Sequence, residues 1–108
     1  MTDALTHPYR DPDLPVEDRI ADLLPRMTLA EKVGQMLQLD ARYGVEGLVQ
    51  DYLVGSILHA SPENLALAAK LAAESRLGIP LIVGEDCIHG HSFFHGATIF
   101  PTQLGMVG

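Results

Sequence analysis

The chain has 108 residues, of which 47% are hydrophobic and 19% charged, and its formal net charge at pH 7 is -7. This hydrophobic content is sufficient for the core of one small domain and excludes a chain that is disordered by composition. The negative charge argues against a nucleic-acid partner and against an anionic membrane surface, because no basic stripe could neutralise phosphates. A neutral metabolite such as a sugar fits this charge balance.

The cysteine content and the amino-terminal residues indicate the cellular compartment of the protein. Cys87 is the only cysteine, so the chain cannot form an internal disulfide, and nothing in it indicates an oxidising compartment. The first residues lack the basic and apolar regions of a signal peptide. No apolar run approaches the roughly 20 residues that cross a bilayer. The expectation is a cytoplasmic protein without a membrane partner.

The first third of the chain predicts an arm and two helices. Residues 1–15, which are rich in proline and aspartate, predict an extended, weakly ordered arm. Apolar residues at helical spacing over 16–24 predict a helix that Pro25 ends. Thr28 and Glu31 form a capping-box pattern, which predicts the start of a second helix.

Strands and helices alternate over the rest of the chain. A strand is expected to begin within residues 36–39, followed by a short helix over 44–52 and a strand over 54–58. A longer helix is predicted from Ser61 to Arg76, because a hydroxyl cap, a proline and an acid follow one another at its start. Its stop is placed at Gly78, and the apolar residues 79–83 predict a fully buried strand.

This order of elements predicts an α/β fold with a parallel sheet. Residues 16–108 contain only two or three βα units, too few to close a barrel, and the last strand would lack a covering partner. We therefore expect an incomplete domain whose pattern is cut off at the carboxyl end.

The densest polar cluster is residues 84–91, GEDCIHGH, directly after the most strand-like segment. Ligands of parallel α/β proteins lie at the carboxyl ends of strands, so Glu85, Asp86, His89 and His91 occupy a favoured place. Alternation along a strand would send Glu85 and Asp86 in opposite directions, so one of them at most points into a given pocket.

Several chemistries fit this cluster. An ionised carboxylate can accept from two neighbouring sugar hydroxyls, which indicates sugar binding. A metal site would use nitrogen and oxygen ligands, and a thiol nucleophile would use Cys87 beside histidines. In the plainest interpretation the acids and histidines cap turns and the cysteine is a small buried apolar residue. The metal ligands would come from Asp86, His89, His91 and His95.

Five motifs in order resemble glycoside hydrolase family 3. Residues 27–36 are similar to the family's opening "MTLEEKIGQM", and residues 55–58 resemble its second strand. Residues 75–80 are similar to its "SRLGIP", residues 86–90 to its "DxxHG", and residues 96–101 to its "GATxFP". Together they cover nearly all of this chain but only the front of the family's protein.

The resemblance implies the first units of a (β/α)8, TIM-type barrel. It further implies retaining hydrolysis of terminal β-linked sugars, with a carboxylate nucleophile and a second carboxyl group as acid and base. Neither of these two catalytic residues has a matching position here, so no catalytic residue is expected in this chain. Asp86 matches the family's carboxylate that binds hydroxyls of the terminal sugar, at C4 and C6, in subsite −1.

Four further residues receive smaller roles, Arg42 among them only because it follows the first predicted strand. His89 is a candidate ligand contact, although a structural role in shaping the turn is favoured for it. Glu85, His91 and Arg42 are predicted to be supporting residues. No cofactor is implied. We also expect no bound metal, because His89 and His91 flank a glycine and do not converge by themselves.

The branch of the family is inferred from the residues around Asp86. The stretch 86–90 differs from the "DxEGG" of β-N-acetylhexosaminidases, and many β-xylosidases carry Glu where this chain has Asp86. A shorter acid leaves room for a hydroxymethyl group, so a β-glucosidase is favoured and a β-xylosidase is the alternative. The expected partners are a β-glucoside or short β-glucan oligosaccharide, the rest of the parent chain, and further copies in a homo-oligomer.

The residues alone also allow a function other than catalysis. A short α/β protein of this kind could bind carbohydrate, or serve only as a structural piece, without catalysis.

Overall fold

Three short parallel strands form the centre of the fold in the computed structural model, which describes residues 7–92 and 94–107. The strands lie in the order β1, β2, β3, and helices connect them in the right alternation for a parallel sheet. The α/β class predicted from the sequence is therefore confirmed. The strands are β1 (Gln38–Asp40), β2 (Ser56–Leu58) and β3 (Ile82–Gly84), and the helices are α1 (Val16–Leu23), α2 (Leu29–Gln35), α3 (Glu46–Gln50), α4 (Pro62–Glu74) and α5 (Gln103–Met106).

The core lies around the central strand. Ile57 of β2 is fully buried and packs in one cluster with Val45 and Val49 at α3 and with Ala68 and Ala72 of α4. Alanine at the two α4 positions has no bulk beyond Cβ, so the helix can approach its neighbours closely. This packing holds α3 and α4 against β2.

Two glycines allow the end of α2 to pack closely against the segment that leads into β2. A Cβ on Gly34 would lie 2.3 Å from the carbonyl oxygen of Leu53, and one on Gly55 would lie 2.4 Å from that of Gln35. The Gly55 amide donates to the Gly34 carbonyl at 3.0 Å. A side chain at either position would push the end of α2 away from the segment that leads into β2, which explains glycine in both motifs.

The amino-terminal segment differs from the predicted extended arm where the structure describes it. Residues 1–6 lie outside the described residues. Pro8–Arg10 form a 3-10 turn, and Tyr9 is 8% exposed. The Tyr9 hydroxyl donates to the Leu77 carbonyl at 2.8 Å, so this segment is tied to the chain after α4. Burial of one aromatic ring outweighs the local preference of prolines for extended backbone.

The predicted helix signals match the structure, and the last strand differs from its prediction. Thr28 and Glu31 form the capping box, and the Ser61 side chain accepts from the amide of Asn64. Helix α4 ends at Glu74, two residues before the predicted end. The prediction of a fully buried last strand is wrong: β3 begins only at Ile82, which is 71% exposed, because no described element covers this face of the edge strand.

Within the described residues, the helices are too short or too polar to cross a membrane.

Glu31 links the start of α2 to the segment after α4. Its carboxylate accepts from the Thr28 amide at 2.8 Å and from Nε of Arg76 at 3.0 Å, and the second Arg76 nitrogen donates to it as well. Arg76 also donates to the Arg26 carbonyl at 2.8 Å. Hydrogen bonding to the Arg76 guanidinium lowers the pKa of Glu31 from its ordinary value of 4.5 to about 2.

We expect Glu31→Ala to lower the free energy of local opening of α2 by about 1–2 kcal/mol, because the cap and the ion pair are lost together. Glu31→Gln should cost less, since an amide can still complete the capping box. Hydrogen exchange of the α2 amides in the full-length protein measures both. Because the folded pKa is the lower one, the stabilisation should be complete above pH 4.5 and decline as the pH falls toward 2. Equal exchange in wild type and Glu31→Ala would contradict the role of this contact.

Candidate functional site

Ionisable side chains follow all three strands at the carboxyl edge of the sheet. Asp40 ends β1 and Arg42 follows it, His59 comes directly after β2, and Glu85 and Asp86 come after β3. Because the strands are parallel, these residues share one edge. The structure thus brings residues that are far apart in the sequence together at this edge.

His59 connects the ends of β2 and β3. Its Nδ1 lies 2.6 Å from Oε1 of Glu85, and its Nε2 lies 3.7 Å from Oδ2 of Asp86. The same Oε1 of Glu85 accepts from the Asp86 amide at 2.9 Å. With Glu85 as a carboxylate acceptor, the donor of the short contact is the Nδ1–H tautomer of His59. One imidazole therefore faces both acids of the cluster.

The two acids of this cluster have different surroundings. The Glu85 side chain is 10% exposed, whereas that of Asp86 is 68% exposed. Glu85 is enclosed against His59, whose side chain is 16% exposed. Asp86 is consequently the acid that a molecule arriving from solvent can reach, and Glu85 is an internal partner.

Arg42 clamps Asp40 at the end of β1. Its backbone amide donates to Oδ1 at 2.9 Å, and its Nε donates to Oδ2 at 2.8 Å. Hydrogen bonding to the guanidinium lowers the pKa of Asp40 and raises that of Arg42. Asp40 is therefore ionised at neutral pH and already has a partner, which leaves it unsuited to give up a proton.

His89 and Gly90 join the two last sequence motifs. The Nδ1 of His89 donates to the Phe100 carbonyl at 2.8 Å, and the Phe100 amide donates to the His89 carbonyl at 2.6 Å. Gly90 pairs with Ile99, and a Cβ at Gly90 would lie 2.5 Å from the Thr98 carbonyl oxygen. Its φ of +133° also favours glycine. This geometry gives His89 the turn-shaping contact favoured from the sequence.

His91 and Cys87 lie beside the cluster. The His91 ring contacts the edge of Phe94 at a centroid distance of 4.6 Å, and its Nδ1 is buried without a hydrogen-bond partner among the described residues. Cys87 is exposed, unlike the buried position considered for it. Over residues 7–92 and 94–107, no three His, Cys, Asp or Glu side chains are grouped so that they could hold a metal ion.

His59 is the residue of the site that the motifs did not identify. The usable signal was its place directly after the predicted strand over 54–58, the position at which Glu85 and Asp86 were recognised after the next strand. Its φ of +59° is a second feature that only the structure gives. The structure brings Glu85 and Asp86 to His59, whereas His89 contacts Phe100.

Comparison with known proteins supports the family. Residues 28–107 match the model of the glycosyl hydrolase family 3 N terminal domain. A periplasmic β-glucosidase/β-xylosidase of Dickeya chrysanthemi is 34% identical over 106 residues, which cover 78% of this chain and 16% of that protein. A periplasmic β-glucosidase of Salmonella typhimurium is 30% identical over 94 residues, which cover 81% of this chain and 12% of that protein.

A solved structure adds a closer relative. This chain is similar to a β-glucosidase of intestinal bacteria that is involved in saponin metabolism, with 70% sequence identity and a TM-score of 0.59 over 82% of this chain and 12% of that one. The chain thus spans only a small part of the relatives that it matches. These relatives are all named as glycosidases, so the alternative of a short non-catalytic protein gains no support. The resemblance inferred from five motifs is confirmed: the chain belongs to glycosyl hydrolase family 3, in the amino-terminal domain of that family.

Proposed function

We propose that this chain supplies part of subsite −1 of a retaining exo-acting β-glycosidase that releases terminal β-D-glucose. In this proposal Asp86 accepts hydrogen bonds from hydroxyls of the terminal sugar, and the chain forms the first βα units of a (β/α)8 barrel. The nucleophile and the acid/base belong to residues of the parent protein other than these 108.

The observation that carries the proposal is the setting of Asp86. Its carboxylate is 68% exposed at the carboxyl edge of a parallel sheet, where ligands of α/β proteins bind. The stretch 86–90 resembles the family's "DxxHG", whose acid binds the terminal sugar, and it lies within the residues that match the family model. A carboxylate can accept from two neighbouring hydroxyls at once, and such contacts hold the ring where a nucleophile can reach it.

The other acids of the edge are engaged with protein groups. Glu85 contacts His59, and Asp40 is bound by Arg42. Arg42 and Glu85 therefore act as supporting residues. His91 keeps the supporting role proposed for it, and His89 acts on the site through the turn that contains the Phe100 contact.

The balance between glucoside and xyloside depends on the length of the acid at position 86. Aspartate leaves room for the hydroxymethyl group that glucose has and xylose lacks. The Dickeya relative is named for both activities, so a β-xylosidase is the second candidate.

We expect the full-length protein to hydrolyse nitrophenyl β-glucoside with a higher kcat/KM than nitrophenyl β-xyloside. Asp86→Glu should shift this ratio toward the xyloside by about 10-fold or more, because the longer acid occupies the space of the hydroxymethyl group. Measuring kcat/KM for both substrates with both proteins tests this. A wild-type preference for the xyloside would assign the protein to the β-xylosidases instead.

Location, substrate and assembly complete the proposal. Two relatives carry names that place them in the periplasm, whereas a cytoplasmic location is the prediction for this chain. The substrate is a β-glucoside or a short β-glucan oligosaccharide. The exposed edge at β3 would be covered by the rest of the parent chain, and self-association into a homo-oligomer is a further way to cover it.

A further inference from the structure

We propose that His59 and Glu85 form a positioning pair that holds Asp86 in place for sugar binding. This inference rests on the proposed function, since it concerns the residue that would contact the substrate. It adds His59, which no sequence motif identifies, to the binding machinery and gives the supporting residue Glu85 a defined contact.

Asp86 needs such support because the sheet does not supply it. Strand β3 ends at Gly84, two residues earlier, and pairs with β2 only over its three residues. Beyond Gly84 the Asp86 amide donates to Oε1 of Glu85 at 2.9 Å. The position of Asp86 therefore depends on where the Glu85 side chain is held.

His59 holds the Glu85 side chain from the neighbouring strand. The contact of 2.6 Å joins residues 26 positions apart, and both side chains are largely enclosed, at 16% and 10% exposed. A charge-assisted contact in such surroundings is less screened by water than one at the surface. The chain of contacts runs from β2 through His59 and Glu85 to the backbone of Asp86.

The second nitrogen of His59 lies on the side of the Asp86 carboxylate. At 3.7 Å from Oδ2, Nε2 is beyond hydrogen-bond distance but close enough to attract the carboxylate when the ring is charged. The imidazole thus borders both the backbone support and the binding group of Asp86.

The backbone of His59 has an unusual conformation at the point where its side chain contacts Glu85. Its φ of +59° lies in the left-handed region, which only a few per cent of residues other than glycine adopt, asparagine, aspartate and histidine most often among them. Strained conformations of this kind persist where the surrounding structure requires them. Here the left-handed turn directly after β2 coincides with the contact to Glu85.

Two substitutions separate the backbone from the hydrogen bond. His59→Gly accepts the positive φ but removes the donor. His59→Asn also tolerates the positive φ, and its side-chain nitrogen lies two bonds beyond Cβ, as Nδ1 of histidine does. In the full-length protein we expect His59→Gly to lower kcat/KM for nitrophenyl β-glucoside by about 10- to 100-fold, and His59→Asn to restore it to within about 3-fold of wild type.

A double-mutant cycle with Asp86→Asn tests whether the pair acts through Asp86. We expect His59→Gly to change kcat/KM by less than about 3-fold in the Asp86→Asn background, because the group that it positions is already altered. Glu85→Ala should behave like His59→Gly in both backgrounds, and it provides the same cycle if His59→Gly does not fold. Glu31→Ala, which weakens a distant contact, controls for loss of stability as such.

The outcomes distinguish this inference from the proposed function. If His59→Gly and Glu85→Ala cost as much in the Asp86→Asn background as in wild type, or if asparagine at position 59 restores nothing, the positioning pair is refuted while the glycosidase stands. If Asp86→Asn itself leaves kcat/KM unchanged, or the wild type hydrolyses no β-glycoside, the proposed function fails first.

Discussion

Asp86→Ala in the full-length protein is expected to lower kcat/KM for aryl β-glucosides by about 30- to 5,000-fold, which corresponds to roughly 2–5 kcal/mol of transition-state stabilisation. The loss has this size because charge-assisted hydrogen bonds to sugar hydroxyls disappear and the ring is no longer held for attack. Because such contacts tighten as the ring distorts, their loss should lower kcat as well as raise KM.

Because Asp86 is exposed, its substitution should affect substrate binding without affecting the fold. The Asp86 side chain is 68% exposed, so its removal leaves no cavity and should leave the fold intact. Asp18→Ala on the exposed surface of α1 is the matched control, since it makes the same substitution away from the edge of the sheet. Steady-state kinetics with nitrophenyl β-glucoside gives the numbers. An Asp86→Ala protein within about 3-fold of wild type would remove Asp86 from the substrate site.

The features that could be predicted from sequence are those fixed by near neighbours. The capping box of Thr28 and Glu31 involves residues three apart, and the Ser61 cap reaches the amide of Asn64. Helix starts of this kind follow from local chemistry. The parallel sheet was also predictable, because strand and helix alternate along the chain and parallel strands need crossovers.

The features that escaped prediction join distant parts of the chain. His59 meets Glu85 across 26 positions, Glu31 meets Arg76 across 45, and Tyr9 meets Leu77 across 68. No periodicity or motif encodes which two loops approach one another, since this depends on packing around Ile57. The Tyr9 contact likewise orders a segment that composition alone predicts to be extended.

The exposure of β3 shows a second way in which prediction from the sequence differs from the structure. The apolar residues 79–83 predict burial on both faces, yet Ile82 is 71% and Val83 47% exposed. An apolar strand predicts that a covering layer exists in the complete fold, and it cannot say which residues provide it. The discrepancy therefore agrees with a proposal in which the rest of a larger barrel covers β3.

The second large effect is expected when the 108 residues are separated from the rest of the parent protein: nitrophenyl β-glucoside should not be turned over at all. Retaining hydrolysis needs two carboxyl groups about 5–5.5 Å apart on opposite sides of the scissile bond, one as nucleophile and one as acid. The edge of the sheet offers Asp40, Glu85 and Asp86. Arg42 lowers the pKa of Asp40 and occupies both of its oxygens, which leaves it unable to serve as an acid.

The other two acids cannot form the pair either. Glu85 is enclosed against His59, and its Oε1 also accepts from the amide of Asp86, so it faces the protein while Asp86 faces solvent. Adjacent residues with opposite environments cannot flank one sugar from two sides. The assay compares the purified 108-residue chain with the same chain carrying Asp86→Asn, and circular dichroism shows whether both are folded. Turnover above buffer that Asp86→Asn abolishes would mean that these residues contain a complete catalytic pair, and the assignment of Asp86 to hydroxyl binding would then have to give way to a role in bond cleavage.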